Sequence, residues 1–371
     1  MVKALRLMLD LAHVIYDIAE ELTCAQRPVF IFGWGIHLAG AEDEAKTFAR
    51  MGEIPILATW GAADLPNYGT FGTHGNKYAN LAVQNADYIV CVGSRLDTKA
   101  TGSPASSFAP KAKIVMVDVD RAEMAKMQML RRPLHRQIQA DAKIFLGMLL
   151  RSLEARWQAE ESWSQWKWWN GQLLTWKSQY PAVPYGDSFS PYLIVQELGK
   201  HIRADDVIVS DTGCALAWMM QSYPFKGERF IHAFNSTPMG YGLPAAIGAC
   251  FATGRRVVLV TGDGGLSVNI TEMATVVGHK LPIKVILFAN GSHSMCMQTQ
   301  RQWLGGEYPS TTKEGGLSFP DFEAVAKAYG FECPKTVEEL FTTRGPGFLQ
   351  FQVDREQGVY GQIKFGEPLA A

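Results

Sequence analysis

Residues 256–297 read RVVLVTGDGGLSVNITEMATVVGHKLPIKVILFANGSHSMCM. Val257–Val260 is a β-branched, apolar run that empties into Thr261-Gly262-Asp263-Gly264-Gly265, with the next helix predicted from near Asn269. A second apolar run, Ile283–Phe288, ends at Ala289-Asn290-Gly291-Ser292. Short buried runs of this kind, separated by helical patterns, indicate a parallel sheet covered by helices, and such sheets bind ligands beyond the carboxyl ends of their strands. Glycines at a strand-to-helix turn let backbone N–H groups approach an anion, and Asp263 adds a hard oxygen ligand beside it, as a magnesium–phosphate complex requires. If the two strands are neighbours, the Asp263 carboxylate, the Asn290 amide oxygen and a backbone carbonyl converge on one cation. An Asp capping a helix or an Asn in a turn is common by itself.

Outward from this stretch, the same alternation occurs in two series. The first has strands expected at 28–32, 54–58, 88–92 and 113–119, with helices at 42–51 and 78–85. The second has strands at 206–209, 256–261, 284–288 and 348–353, with helices at 191–201, 243–252, 269–278 and 321–329. Between them lies a polar helix predicted over 141–176 that carries Trp157, Trp163, Trp166, Trp168, Trp169 and Trp176. Large aromatics at this density suit interdomain or subunit packing. The expected fold class is α/β, two Rossmann-like domains joined by a Trp-rich helical linker, divided as 1–155, 156–190 and 191–371.

With 371 residues and about 100–200 residues per domain, two or three domains are expected. Thirty-five basic and 36 acidic side chains leave a formal charge of −1, which gives no footprint for nucleic acid or an anionic membrane surface. No run approaches the roughly 20 apolar residues of a membrane span. The N-terminal apolar positions Met8, Leu11, Ile15, Ile18 and Leu22 recur at helical spacing, so an amphipathic helix is expected there rather than a signal peptide. Six scattered cysteines without a CxxC pair read as reduced thiols, Cys214 and Cys296 included, and the expected compartment is cytoplasmic. Gly33-Trp34-Gly35 starts a dinucleotide fingerprint, but Leu38 stands where its third glycine belongs, which argues against a nicotinamide cofactor.

Gly262-Asp263-Gly264 followed after 24 residues by Ala289-Asn290 resembles the GDG…NN motif of acetolactate synthase-like, thiamine-diphosphate-dependent enzymes. The resemblance implies that Asp263, Asn290 and the main-chain oxygen of Ser292 hold Mg²⁺ against the cofactor's diphosphate. Ala289 replaces the first Asn, which is not the ligand. Residues 238–248, PMGYGLPAAIG, are similar to the segment whose methionine wedges beneath the bent cofactor, which makes Met239 the wedge and places Gly240 beside it. Asp211-Thr212-Gly213-Cys214 resembles a turn with further diphosphate contacts, Gly265 extends the glycine turn, and His293 and Met295 fall in the segment bordering the substrate pocket.

The first half resembles the middle domain of the same family. Thr73 and His74, and Arg95, Asp97 and Lys99, match segments that contact a non-redox FAD in some members, so FAD stands as an open second cofactor; Lys99 replaces an Arg. The family's N-terminal pyrimidine-binding domain, with its catalytic glutamate, has no counterpart here, and Glu20 and Glu21 lack its context. The resemblance implies an active site shared between subunits, hence a homo-oligomer, or a hetero-oligomer with a pyrimidine-binding chain, acting on a small 2-oxo acid such as pyruvate. Two alternatives stay open: a catalytically silent thiamine-diphosphate-binding or regulatory module, and a fragment of a longer enzyme.

Overall fold

The computed structural model describes residues 2–52, 54–157, 164–182, 190–364 and 366–369. They form two compact units, Met1–Pro181 with Gly361–Ala371, and Ala182–Tyr360.

The first unit is built on β1 (Pro28–Phe32), β2 (Ile56–Ala58), β3 (Gly69–Thr70), β4 (Tyr88–Val92), β5 (Lys113–Asp118) and β6 (Arg136–Gln139). The strands are ordered β3-β2-β1-β4-β5-β6 and every pair is parallel. The second unit is built on β7 (Val207–Ser210), β8 (Arg229–Ile231), β9 (Val257–Gly262), β10 (Ile283–Ala289) and β11 (Gly347–Gln352), ordered β11-β10-β9-β7-β8 and again parallel throughout. The expected α/β class with two helix-covered parallel sheets is what the chain adopts.

All five residues of β1 and of β4, and all seven of β10, are buried. Helices cover both faces of such a sheet, so its central strands read as unbroken apolar runs. The strands that the sequence reading omits, β3, β6 and β8, are two to four residues long, and β6 and β8 alternate polar and buried positions at or near sheet edges. An edge strand with one wet side offers no apolar run to detect.

The N-terminal helix runs Val2–Cys24 and buries Ile15, Ile18 and Leu22. The polar helix expected over 141–176 is not continuous as described: helix Ala142–Trp157 and helix Lys167–Gln179 are separate, with a short 3-10 turn Ser164–Trp166 before the second. Trp163 lies outside the described residues. Trp166 and Trp169 pack inside the first unit, where their indole N–H groups donate to Ala25 O at 2.7 Å and Pro28 O at 3.2 Å. Trp168 remains exposed.

The strand order of the first sheet reverses between β1 and β4. The turns after these strands touch there, with Gly35 N donating to Gly93 O at 2.8 Å. A Cβ on Gly35 would lie 2.5 Å from Gly93 Cα, backbone against backbone. Gly35→Ala should therefore destabilise this unit by about 1–3 kcal/mol, the usual cost of overpacking, read as a lower urea midpoint at unchanged m-value.

Candidate functional site

In the second unit β9 and β10 pair in register, Thr261 beside Leu287 and Gly262 beside Phe288, and β7 joins β9 through Ser210 and Val260. The carboxyl ends of three neighbouring strands therefore meet at one edge. A helix starts just beyond each: Cys214–Ser222 after β7, Asp263–Val268 directly after β9, and Ser294–Trp303 after β10. All three N-termini open on a single cavity of about 260 Å³. Unsatisfied N–H groups and aligned peptide dipoles favour an anion at such a point.

The helix expected from near Asn269 starts six residues earlier, at Asp263, pauses at Asn269, and resumes as Met273–Gly278. Gly264 and Gly265 suggest a turn, yet both are helical because the close packing there excludes side chains. A Cβ on Gly264 would lie 2.5 Å from His293 Cε1 and from the Met239 methyl; one on Gly265 would lie 2.7 Å from Asp211 Cγ.

Asp263 is 3% exposed, and its Oδ2 accepts the N–H groups of Asn290 at 2.7 Å and Gly291 at 3.0 Å. Burial raises its pKa against the lowering effect of these donors. Asn290 Oδ1 accepts from Ser292 N and Oγ, each at 3.0 Å, while Nδ2 donates to Ser294 Oγ at 2.8 Å. Asp263 and the turn Asn290–Ser292 are thus joined directly across two adjacent strand ends. A carboxylate, an amide oxygen and backbone oxygens make a hard donor set that suits Mg²⁺, so the residues present fit such an ion.

The cavity is lined by Thr212, Gly213, Cys214, Met239, Gly262, Asp263, Gly264, Gly265, Asn290, Ser292, His293 and Met295 from the expected set. Asp211 and Gly240 lie behind this lining. Ala215, Trp218, Thr237, Phe288, Ser294 and Cys296 line it too, and sequence reasoning assigned none of them to the site. Trp218 stands one helical turn after Cys214, a spacing that alone could have placed both on one face. Burial pushes the Cys214 thiol up to about 12, which keeps it protonated and unreactive at neutral pH. Burial also lowers the His293 pKa, and its ring lies edge-on to Phe319 at 5.6 Å.

In the first unit, Thr73 Oγ1 and His74 Nδ1 are 3.0 Å apart, the His74 ring meets the Trp60 ring edge-on, and Lys99 Nζ lies 5.6 Å above that indole. The other two residues matched to the flavin segments have local tasks. Asp97 caps a short helix through Ala100 N at 3.0 Å, and the exposed Arg95 reaches Glu123 at 3.9 Å. Glu20 pairs with Arg156. Glu21 binds Tyr88 Oη, Arg136 and His135 at 2.6–3.0 Å; burial pulls its carboxyl up, but these bonds outweigh it and hold it at about 2. Among the described residues no cluster of three or more His, Cys, Asp or Glu is arranged around a metal position, and no helix is long and apolar enough to cross a membrane.

Two family models match the chain: the thiamine pyrophosphate enzyme C-terminal TPP binding domain over residues 211–344, and the central domain over residues 15–149. The chain belongs to the thiamine pyrophosphate enzyme family. The acetolactate synthase large subunit of Lactococcus lactis is 30% identical over 371 aligned residues, covering 95% of this chain and 62% of that protein. The isozyme 2 large subunit of Escherichia coli is 31% identical, covering 94% and 63%, and its isozyme 1 counterpart is 30% identical, covering 95% and 63%. The chain thus spans a little over three fifths of the length of these relatives. Within this chain, the C-terminal match contains every expected cavity residue and the central match contains the Thr73–Lys99 group.

His74 Nε2 lies 2.9 Å from Gln362 Nε2, an amide donor, so Nε2 accepts and the single ring proton sits on Nδ1. Burial, aided by Lys99, lowers the His74 pKa from 6.5 to about 4. Below pH 6.5 the unfolded chain takes up a proton that the native ring refuses, so stability is full at neutral pH and falls until the native ring protonates near pH 4. The loss attributable to His74 is about 3 kcal/mol at most. Comparing urea midpoints of wild type and His74→Gln at pH 7 and pH 4.5 should show a smaller acid-induced drop in the variant.

Proposed function

We propose that this chain is the diphosphate- and Mg²⁺-binding component of a thiamine-diphosphate-dependent carboligase or decarboxylase acting on a 2-oxo acid such as pyruvate. The observation that carries the reading is the direct junction of Asp263 with the Asn290–Ser292 turn, at the mouth of a cavity onto which three helix N-termini open. The printed names of the relatives, acetolactate synthase large subunits, support the same chemistry.

Asp263, Asn290 and the Ser292 main-chain oxygen would hold the ion. Backbone N–H groups of Gly213–Ala215 and Gly264–Gly265 are available to diphosphate oxygens. Met239, exposed and with its methyl against Gly264, would fill the space beneath a bent ligand and hold two of its rings together. Trp218 and Phe288 line the cavity and would present an apolar wall to the reacting centre. Thiamine diphosphate, when bound, supplies a nucleophilic carbon and an electron sink for loss of carbon dioxide. His293 and Met295 border the region where the 2-oxo acid would sit.

Completion of the site would require a pyrimidine-binding half, supplied by a longer form of this protein in a homo-oligomer or by a separate pyrimidine-binding chain in a hetero-oligomer. Flavin binding by the first unit rests on Thr73, His74 and Lys99 and is read from visible flavin absorbance of the purified protein. A silent assembly module remains the second reading, and pyruvate consumption on addition of a pyrimidine-binding chain separates it from the first.

Calorimetry with thiamine diphosphate should give Mg²⁺-dependent binding that disappears on chelation. Asp263→Ala should weaken it at least tenfold. Equal affinities in the two proteins would remove Asp263 as a metal ligand and, with it, the basis of the assignment.

A further inference from the structure

We propose that Asp211 is a positioning residue: it touches neither metal nor cofactor but tethers the loop that presents Met239. This rests on the thiamine-diphosphate reading only for the cofactor measurement below.

Asp211 follows β7 directly and is 1% exposed. Its Oδ1 accepts from Thr212 N at 2.8 Å and Gly240 N at 3.2 Å, and its Oδ2 accepts from Gly242 N at 2.8 Å. Both carboxylate oxygens are therefore occupied by backbone donors, two of them on the far side of Met239. Gly265 and Gly242 press on it from two directions, since a Cβ on either would come within 2.9 Å of its carboxylate atoms. One side chain thus bridges the turn after β7, the Met239–Gly242 segment and the first turn of the helix after β9, all of which border the cavity.

The tether matters because the loop is built of unusual backbone. Thr237 has φ of 45° and Gly240 has φ of 85°, both in the left-handed region, which costs a non-glycine residue such as Thr237 about 1 kcal/mol or more. Such a segment persists only when its surroundings hold it. Asn269 grips it from the other side, Nδ2 donating to Gly240 O at 2.7 Å. Asp211 stands behind the cavity lining, so it is not placed to meet a diphosphate directly. Burial raises its pKa, and the N–H groups of Gly242, Thr212 and Gly240 that it holds act against that rise.

Asp211→Asn keeps the size but turns an NH₂ toward at least one of the N–H donors, so it should release the loop. Hydrogen exchange at the Gly240 and Gly242 amides should accelerate at least tenfold while the β9 and β10 amides keep their wild-type protection. Thiamine diphosphate affinity, measured with Mg²⁺, should fall at least tenfold in Asp211→Asn. The same substitution should cost less than twofold in a Met239→Ala background, because a tether acting through Met239 has nothing left to position. Equal penalties in both backgrounds, or unchanged exchange at Gly240 and Gly242, would overturn the proposal. Should Asp211→Asn not fold, protection of those two amides in the wild-type chain decides the matter, and exchange at the rate of an open loop would refute the tether. Absence of cofactor binding by the wild type would reject the functional reading while leaving the exchange result to judge Asp211.

Discussion

One carboxylate at the end of β9 holds the candidate site together. Asp263 cannot be solvated where it stands, so it must find donors, and it finds them in the backbone of the turn that ends β10. Buried carboxylates satisfied by backbone N–H groups are rigid as well as charged. The β9–β10 register brings Gly262 level with Phe288, and that alignment puts Asp263 within reach of Asn290. Everything else at the cavity is arranged around this junction: the glycines that let the helix after β9 start at once, Met239 against Gly264, and the Asn290–Ser292–Ser294 hydrogen-bond chain.

A second buried carboxylate, Asp211, performs a parallel task one strand over. The two differ in what they face. Asp263 lines the cavity, with its Oδ2 held by the N–H groups of Asn290 and Gly291, whereas Asp211 sits behind the lining with both oxygens engaged. The same residue type thus lines the cavity at one strand end and stands behind its lining at the next, and the direction in which each points distinguishes them. The first unit shows the same division among other groups. Glu21, which lacks the family's context in the sequence, is locked among Arg136, Tyr88 and His135, and His74, matched there to a flavin-contacting segment, lies between Thr73 and Gln362.

Much of this is legible in the residues alone, for identifiable reasons. Central parallel strands such as Pro28–Phe32 and Tyr88–Val92 are apolar on both faces, so their limits appear in the sequence itself. The Gly262-Asp263-Gly264 and Ala289-Asn290 segments are visible because they match the family's motif in residue type and spacing. The short strands β3, β6 and β8 are not legible, since they contribute one or two buried side chains each. The start of the helix at Asp263 escapes a reading by residue type because paired glycines normally break helices, and only the atoms crowding Gly264 and Gly265 explain their presence in one.

The sequence by itself determined the α/β class, the family and the identity of the Asp263–Asn290 pair, because each depends on local residue type and on separation along the chain. Tertiary structure decided which side chains face the cavity and which stand behind it. Trp218, Thr237 and Phe288 joined the site, and Asp211 and Gly240 withdrew from the lining, through strand register and loop closure between segments as distant along the chain as Thr212 and Cys296. Contacts at such separations are set by how helices and strands pack, and no local pattern of residues encodes the direction in which a side chain will finally point.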